Sequence, residues 1–559
     1  MKMRSYTLYL VLLFSMILSA CTDDSQVEEP GEDQNAATNN NTGDITIGLM
    51  EDIVTLDPHG SNDTTSAQVR GNIYETLVYQ DIDMSLGSGL AEEWEEAESK
   101  KWNFKLKEDK TFHNGSNFTA EDVKATLDRV NDTAVASQAA FLYEMITEVE
   151  VVDEHEVNIH TEYPFAPLPS HLAHNTAGII SKELIDQDYQ AALDEAGVDM
   201  TADEYYELRE EGGSEYEGVV DEISAHIGSV VASEPDGTGH LKFQSRSAGE
   251  EVVLESFEGF QGEERNFNNV TFRVIPENGA RIAELETGGI QVAAEVDSTS
   301  AERVKNNEET ELVEQESVRT DYLGFNVEKE PFDDVKVRQA ISHAIDRDEI
   351  ISGVYDDMGI KAEGPLAPDV WGYDENLEGV EYDMERAKEL LAETDVAEGF
   401  NTTLWVNDDQ QVIDSAVYIQ EKLSELNIEV TIEQLEWGTY LERTGNGEHE
   451  MFLLGWTTVT ADADNGLYAL FHSDNHGSTG NRSFYSNEEV DALLEKGRKE
   501  TDEEARFEAY SQAQEILVEE APAAYLFHTN FAIGVNTSQV NDVEIDPIGI
   551  IRLENVTFE

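Results

Sequence analysis

Cysteine is almost absent from this sequence, because Cys21 is the only one among 559 residues. One cysteine cannot form an intrachain disulfide or a cysteine-based metal site, so both are excluded. A chain of this length is expected to form more than one domain. These domains must therefore be stabilised by their hydrophobic cores.

Basic residues are also scarce: 35 Lys and Arg stand against 119 Asp and Glu, and the formal net charge is −84. This charge excludes binding to nucleic acid or to an anionic membrane surface through a basic patch. Hydrophobic residues make up 39% of the chain and aromatic residues 8%, which excludes a disordered acidic polymer. We interpret the acids as a halophilic surface, since the screening length falls to about 3 Å near 1 M salt. A polyanionic ion sponge is the alternative.

The familiar catalytic motifs are missing: there is no GxxxxGK[ST] loop, no GxSxG elbow and no HExxH helix. His155 and His160 lie in a strand-like segment at an odd spacing, which places them on opposite faces. We therefore predict no catalytic residue, no metal site and no cofactor. Among 119 acidic residues, pairs of carboxylates occur by chance and do not indicate a catalytic site. A secreted acidic hydrolase therefore remains the alternative from another functional class.

The amino terminus has the pattern of an export signal. Lys2 and Arg4 precede an apolar run at 8–18, which is too short to cross a bilayer core of about 30 Å but suits a signal peptide. We predict a signal peptide at 1–20. The following Leu-Ser-Ala-Cys at 18–21 resembles a bacterial lipobox, and this resemblance implies lipidation of Cys21. The protein is then expected on the outer face of the cell membrane.

The segment at 21–43 is acidic, rich in asparagine and nearly free of large apolar side chains. It cannot bury enough surface to offset the entropy of ordering, so a flexible tether is expected. From residue 44 strand-like and helix-like patterns alternate, with a strand at 45–49, a helix at 335–344 and a strand–helix–strand unit at 404–432. The fold class is α/β, in at least two lobes.

One acidic, helix-rich stretch at about 182–233 stands apart, with Gly212 and Gly213 interrupting it. We interpret it as a surface insertion. A partner-binding or lid element is the alternative.

Several ordered segments together resemble family 5 of the solute-binding proteins of ABC importers, which includes oligopeptide, dipeptide, nickel and glutathione binders. The most specific is PFDDVKVRQAISHAIDR at 331–347. The others share order and spacing with the family: LDP at 56–58, NIYETLV at 72–78, LAEEW at 90–94, FHNG at 112–115, TAEDV at 119–123, AKELLAE at 387–393 and Gly455-Trp456. The resemblance covers the chain from about residue 44 onward, without the acidic insertion.

The resemblance implies a two-lobed clamp of the type II periplasmic-binding-protein fold with one discontinuous lobe. Lobe I would comprise 44–317 plus 526–559 and lobe II 318–525, with Arg319 and Tyr525 as hinges. A ligand would bind between the lobes, and the closed monomer would dock on a permease driven by an ATPase.

The family pattern also implies a set of residues that line the cleft. The loop after the first strand supplies Asn62, Asp63 and Thr64. Lobe II supplies residues at the ends of two strands and in the loop that follows: Asn407, Asp408, Trp456, Val459, Asp462 and Asp464.

Two departures from the family pattern matter. Val459 stands where dipeptide binders hold the peptide ammonium with an aspartate, and the loop at 405–416 lacks their arginine for the peptide carboxylate. A buried charge without its partner costs several kcal/mol, so Asp462, placed as in glutathione-type members, is the candidate partner for the ammonium. The usual Gly-Thr-Gly-Pro also ends in His240 instead of proline, which we interpret as a local change of the loop only.

We therefore predict a lipid-anchored peptide-binding protein of an ABC importer. Within the same fold, a nickel-chelate, glutathione or sugar binder remains open. A structural surface protein is a further alternative.

Overall fold

The computed structural model describes residues 43–262, 265–477 and 480–558. The predicted signal peptide at 1–20, the predicted lipidation site at Cys21 and the predicted tether up to residue 42 lie outside the described residues. Gly43, the last residue of the predicted tether, begins the first strand. Across the described ranges, no helix has the length and apolar character needed to cross a membrane.

The strands alternate with helices along the chain. In order they are β1 (Gly43–Leu49), β2 (Val78–Gln80), β3 (Leu86–Ser88), β4 (Ala91–Glu98), β5 (Lys101–Leu106), β6 (Ile146–Asp153), β7 (Glu156–Thr161), β8 (Leu241–Ser247), β9 (Glu251–Ser256), β10 (Phe267–Val274), β11 (Val292–Ala293), β12 (Thr310–Glu316), β13 (Arg319–Phe325), β14 (Gly359–Lys361), β15 (Asn401–Val406), β16 (Glu429–Gln434), β17 (Met451–Thr457), β18 (Ala523–Asn536), β19 (Val540–Asn541), β20 (Glu544–Ile545), β21 (Ile551–Arg552) and β22 (Thr557–Phe558).

The α-helices follow the same alternation. They are α1 (Thr64–Ile73), α2 (Ala120–Val130), α3 (Leu168–His171), α4 (Lys182–Ala196), α5 (Ala202–Glu211), α6 (Ser214–Ile223), α7 (Ser229–Ser233), α8 (Asn278–Glu286), α9 (Ser298–Lys305), α10 (Val335–Ala344), α11 (Arg347–Val354), α12 (Met384–Leu391), α13 (Gln410–Ser424), α14 (Trp437–Gly445), α15 (Ala469–Phe471), α16 (Glu488–Lys499) and α17 (Glu503–Glu520).

A mixed sheet of 12 strands runs through both lobes in the order β16-β15-β17-β13-β18-β11-β1-β10-β9-β8, with β12 and β14 also paired to β18. Strands β8 to β12 and β1 belong to lobe I, and β13 to β17 belong to lobe II. The long strand β18 serves both, because its first part pairs with β13 and its last part with β12 and β11. Lobe I is therefore discontinuous in sequence, as the resemblance predicts.

The chain crosses between the lobes at two neighbouring places. One is the short link between β12 and β13. The other lies inside β18, where Phe527 pairs with Asp321 of β13 and Asn530 pairs with Glu316 of β12. Arg319 begins β13, next to the first crossing.

A second sheet of four strands, in the order β4-β5-β7-β6, forms a subdomain of lobe I with its own core around Phe104, Phe112 and Leu127. The main core of lobe I lies around β1, β9 and β10. In lobe II the sheet carries a hydrophobic cluster on each face, so its strands are covered by helices on both sides.

Local sequence explains many of these boundaries. Thr119 and Asp122 form a capping box at the start of α2. Asp334 caps α10, whose Val337 and Ile341 are buried at helical spacing. The predicted helix at 335–344 is confirmed, as are the predicted strand at 45–49 and the strand–helix–strand unit at 404–432, which is β15–α13–β16.

The acidic stretch at about 182–233 forms helices α4 to α7, and Gly212 and Gly213 separate α5 from α6 with positive φ angles of 64° and 86°. It is more than a surface addition, because Tyr189 and Tyr205 are buried in the main core of lobe I. Both tyrosine hydroxyls donate to the buried Asp132 carboxylate, at 2.7 and 3.0 Å. These hydrogen bonds thus attach the stretch to the residues that follow α2.

Candidate functional site

The carboxyl ends of the strands in the two lobes face each other. In lobe I, β11 is antiparallel to β18, while β1 and β10 run parallel to β11, so all three end toward the crossover. In lobe II, β17 is antiparallel to β13 and parallel to β15, so β15, β16 and β17 also end there. Ligand sites of open α/β sheets lie outside such strand ends, which locates the candidate site between the lobes.

The predicted loop residues of lobe I lie beyond β1, at the start of α1. Asp63 caps α1, because its carboxylate accepts from the Ser66 N–H at 2.7 Å and from the Ser61 hydroxyl at 2.6 Å. Burial alone would raise the pKa of Asp63, but these hydrogen bonds lower it. Asn62 and Thr64 on either side are exposed, so their side chains are free to contact a ligand.

Two carboxylates at this edge were missed from the sequence. Met50 and Glu51 follow β1 directly, and Glu295 follows the adjacent β11 with a positive φ of 51°. Such a backbone is uncommon for a residue other than glycine and is concentrated at functional sites. Burial and the nearby Glu51 raise the pKa of Glu295, although Arg281 opposes the rise. β11 has two residues, too few for its pattern to be recognised.

Asn407 and Asp408 follow β15, as predicted for the cleft edge of lobe II. Asn407 is half-buried and Asp408 is exposed. The next residue, Asp409, caps α13 by accepting from the N–H groups of Gln411 and Val412 at 2.8 and 3.2 Å. The cap places the amino terminus of α13 at the same edge.

The end of β17 has one unpaired edge. The Thr458 N–H donates to the Val318 carbonyl at 3.0 Å. In this antiparallel ladder, the backbone groups of the even-numbered residues of β17 therefore bond to β13, and those of the odd-numbered residues point to the opposite side of the strand. β15 pairs with β17 only as far as Phe452. Within the described residues, the N–H and C=O of Gly455 therefore face an edge with no strand alongside.

Trp456 and Val459 lie at this edge, and both are half-buried. The indole Nε1 of Trp456 is buried and has no hydrogen-bond partner in the part of the chain that the structure describes. The Val459 N–H donates to the Thr457 carbonyl at 2.9 Å. The tryptophan thus offers a free donor next to the unpaired backbone.

Asp462 and Asp464 lie in buried ion pairs. The Asp462 carboxylate accepts from Arg506 Nη2 at 2.6 Å. Asp464 accepts from Nε and Nη2 of Arg498 at 2.9 Å each; burial alone would raise the pKa of Asp464, but Arg498 lowers it. Both carboxylates already have cationic partners, which fixes the loop after β17.

The predicted hinge residues have different surroundings. The Arg319 guanidinium bonds to the Asp321 carboxylate, with Nη2 to Oδ1 at 2.8 Å, and its side chain is 35% exposed at the edge of the cleft. Tyr525 is buried and pairs with Tyr322 inside the sheet of lobe II. The change of strand partner in β18 lies between Phe527 and Asn530, so the hinge role of Tyr525 stays a prediction.

The lobes touch through Arg498 of α16. Its Nη1 donates to the hydroxyl of Tyr163 in lobe I at 3.3 Å, and its carbonyl accepts from the Ala166 N–H at 3.1 Å. The guanidinium also lies 5.9 Å from the ring centre of Tyr163 and 5.5 Å from that of Phe165. Asp464 anchors the same guanidinium in lobe II, so this contact holds the lobes together.

Trp437 is a further candidate that sequence reasoning missed. It begins α14, just after β16, and is 44% exposed. Its ring stacks on Tyr440 with centroids 5.8 Å apart. A large exposed indole at a strand end suits ligand contact, and its position after a predicted strand was the available signal.

A discontinuous lobe, a crossover through one shared strand and opposed strand ends define a two-lobed binding protein of the type II periplasmic class. The chain belongs to the bacterial extracellular solute-binding proteins, family 5, whose middle-region model matches residues 85–478. The predicted family and fold class are confirmed.

The similarity to characterised proteins extends over most of the chain. It is 29% identical over 494 residues to a dipeptide-binding protein of Escherichia coli K12, covering 84% of this chain and 86% of that protein. It is 30% identical over 488 residues to a glutathione-binding protein of Escherichia coli O157:H7, covering 86% and 88%.

Solved structures show the same architecture. HbpA2 from Haemophilus parasuis has a TM-score of 0.78 and 26% identity, with coverage of 92% of this chain and 100% of that one. DppA from Helicobacter pylori, an ABC transporter-associated binding protein solved with the peptide STSA, has a TM-score of 0.72 and 27% identity, covering 92% and 98%.

Proposed function

We propose that this protein captures a peptide between its lobes and delivers it, as a monomer, to the permease and ATPase of an ABC importer. Lipid on Cys21 holds it at the outer face of the cell membrane. The protein performs no chemistry on its ligand. The unpaired edge of β17 is the observation that carries the peptide assignment.

An extended peptide has the N–H and C=O groups that this edge needs. Gly455 presents its N–H and C=O and Thr457 its N–H toward it, and a bound strand adds main-chain hydrogen bonds that do not depend on its sequence. Asn62, Thr64, Asn407, Asp408 and Trp456 then surround the peptide with polar groups.

The peptide ends require charged partners. Asp462 already bonds to Arg506, so we assign the ammonium to Glu295 with Glu51 beside it. The carboxylate lies near the partly exposed guanidinium of Arg319, with Asp321 holding that group in place. This arrangement differs from the dipeptide type, which uses the position of Val459.

Calorimetry at high salt tests the ligand class. The peptide STSA and glutathione are the probes, because relatives of this protein bind them. Heat of binding is expected with the peptide, and no heat is expected with maltose. Heat with glutathione alone would identify glutathione rather than a peptide as the ligand, and heat with maltose alone would favour a sugar binder. No heat with any of the three would reject the peptide assignment, and turnover of the peptide would indicate a hydrolase.

Gly455→Val should weaken peptide binding about 10- to 100-fold. A Cβ at this position would overlap the Arg319 guanidinium and the Asp321 carboxylate, so these two side chains beside the unpaired edge must move. Gly353→Val is the matched control, because a Cβ there meets no atom within 4 Å. Calorimetry with STSA measures both variants, and equal affinities would contradict pairing at β17.

Tyr163→Ala should accelerate ligand dissociation about tenfold, because the closed state loses a hydrogen bond and a cation–π contact to Arg498. Stopped-flow release of a fluorescent peptide measures the rate. Tyr382→Ala is the control: this tyrosine is 41% exposed, and Lys422 Nζ lies 5.8 Å from its ring centre. The same rate in both variants would show that the Arg498 contact does not limit opening.

Cys21→Ser should release the protein from the membrane fraction, because the sulfur that carries the lipid is removed. Cell fractionation with an antibody measures the distribution. Ser19→Thr is the control that leaves the cysteine in place. Retention of the Cys21→Ser protein in the membrane fraction would contradict lipid anchoring.

A further inference from the structure

The β2–β3 hairpin of lobe I reaches across to lobe II. Met84, in the turn between its two strands, is 7% exposed and belongs to the hydrophobic cluster on one face of the lobe II sheet. The other buried members of this cluster that the structure describes lie between Val318 and Tyr525, which is the range of lobe II. Met84 is therefore an apolar side chain of one lobe that is buried in the core of the other.

Two neighbours of Met84 on the hairpin also meet lobe II. The buried Gln80 donates from Nε2 to the carbonyl of Thr460 at 3.3 Å. The tip residue Asp83 lies near Asp369 of lobe II, because burial and the charge of Asp83 together raise the pKa of Asp369. This like-charge contact opposes the other two only weakly, since Asp83 is exposed to solvent. The balance of the three contacts favours attachment.

The base of the hairpin is fixed to its own lobe. Nη2 of Arg552, in β21, donates to the Gln80 carbonyl at 3.1 Å, and its guanidinium lies 5.6 Å from the ring centre of Tyr79. The buried Asp546 in turn pairs with Arg552 Nη2 at 2.6 Å. The carboxyl-terminal segment thus holds the hairpin in lobe I, while the tip contacts lobe II.

The backbone of Met84 is uncommon for its side chain. Its φ angle is 62°, and its N–H donates to the Asp81 carbonyl at 2.9 Å to close the turn. This left-handed conformation favours glycine and asparagine and disfavours a long apolar residue. The local turn therefore does not account for a methionine here, whereas its burial in lobe II does.

We propose that the β2–β3 hairpin is a strap that holds the two lobes closed, with Met84 as its anchor and Gln80 as its second attachment. These contacts use only groups of the protein, so they act with the cleft empty. The closed state is then populated before a ligand arrives, and a ligand that contacts both lobes increases that population. The inference rests on the proposed function only in that a ligand is captured between the lobes.

The distance between the lobes tests the strap without a ligand. Spin labels on Val152→Cys in lobe I and Val417→Cys in lobe II, both exposed residues, report this distance in the full chain that carries Cys21→Ser. This parent chain is expected to show a population at short distance. Met84→Gly removes the anchor but suits the positive φ, so the turn is kept. It should lower the ratio of short to long distances about tenfold or more.

Two further variants and a control define the cause. Met84→Leu restores an apolar side chain and should keep the parent distribution. Gln80→Met keeps the volume but removes the hydrogen bond, so it should lower the ratio about threefold to fivefold. Asn427→Gly is the matched control, because Asn427 is exposed and has a φ of 55° in the turn before β16. A parent chain with no short distances, or the same distribution in Met84→Gly as in the parent, would overturn the proposal.

Calorimetry with STSA connects the strap to ligand capture. Met84→Gly should bind this peptide more weakly, by up to the factor by which its closed population falls. An unchanged affinity beside a changed distance distribution would overturn the role of the strap in capture. No heat with the parent chain would instead reject the peptide as the ligand, and the measured distances alone would then decide whether the strap exists.

Discussion

Lowering the pH from about 7 to about 5 is expected to remove several kcal/mol of folding stability, a large share of the stability of a typical domain. Six histidines are neutral in the folded protein. Burial lowers their pKa to about 3 or about 4: His59, His113, His174, His240, His449 and His528.

The direction follows from proton binding. An unfolded histidine takes up a proton near pH 6.5, whereas these folded ones do so only near pH 3 or 4, so the unfolded state binds more protons in between. Each of these histidines therefore contributes its full stabilisation of the folded state above about pH 6.5. About 2 kcal/mol of this stabilisation is lost when the pH falls to about 5. Three buried carboxyls with raised pKa act in the opposite sense: Asp122, Asp236 and Asp546.

Urea unfolding at constant high salt, repeated at several pH values, measures the effect. His174→Gln should reduce the number of protons taken up on unfolding between pH 6 and pH 5 by about one, so that the free energy of unfolding depends less steeply on pH. His343→Gln is the control, because this histidine is at the surface. A stability that stays flat from pH 7 to pH 5 would contradict the assignment of these histidines as buried and neutral.

Arg129→Met should lower the free energy of unfolding by about 3–5 kcal/mol, because it leaves buried carboxylates without their cation. Arg129 has no exposed surface and bonds to Asp57 through Nη1 and Nη2 at 2.9 and 2.7 Å, and to Asp188 at 3.2 Å. It also lies 2.8 Å from His59 Nδ1. One guanidinium thus connects the loop after β1, α2 and the stretch at 182–233.

Denaturant unfolding at neutral pH measures the loss. Arg303→Met is the matched control, because Arg303 forms an exposed ion pair with Glu286, and its midpoint should not change measurably. A loss below about 1 kcal/mol in Arg129→Met, the range of surface pairs, would show that water reaches the two aspartates.

Local patterns predicted much of the fold. Ile45, Ile47 and Leu49 alternate along β1, and Val337 and Ile341 recur at helical spacing in α10, so both elements could be recognised from neighbouring residues. The two-lobed arrangement came from the family resemblance instead. Periodicity carries no information about which distant strands pair.

The candidate site was predicted less completely, because it depends on contacts between distant residues. Tyr163 and Arg498 are 335 positions apart, and nothing in either segment points to the other. Asp462 could not be recognised as an ion-pair residue, since its partner Arg506 lies on a later helix. The unpaired edge at Gly455 is a property of where β15 stops, which the sequence of β17 does not contain.

The shared strand β18 has a consequence for the order of folding. It supplies a central strand to both lobes, yet it lies at residues 523–536 of a 559-residue chain. During synthesis neither half of the large sheet can be completed until this late segment has left the ribosome. The two halves of the large sheet are therefore joined through β18 only late in synthesis, after the other strands of both halves are available for pairing.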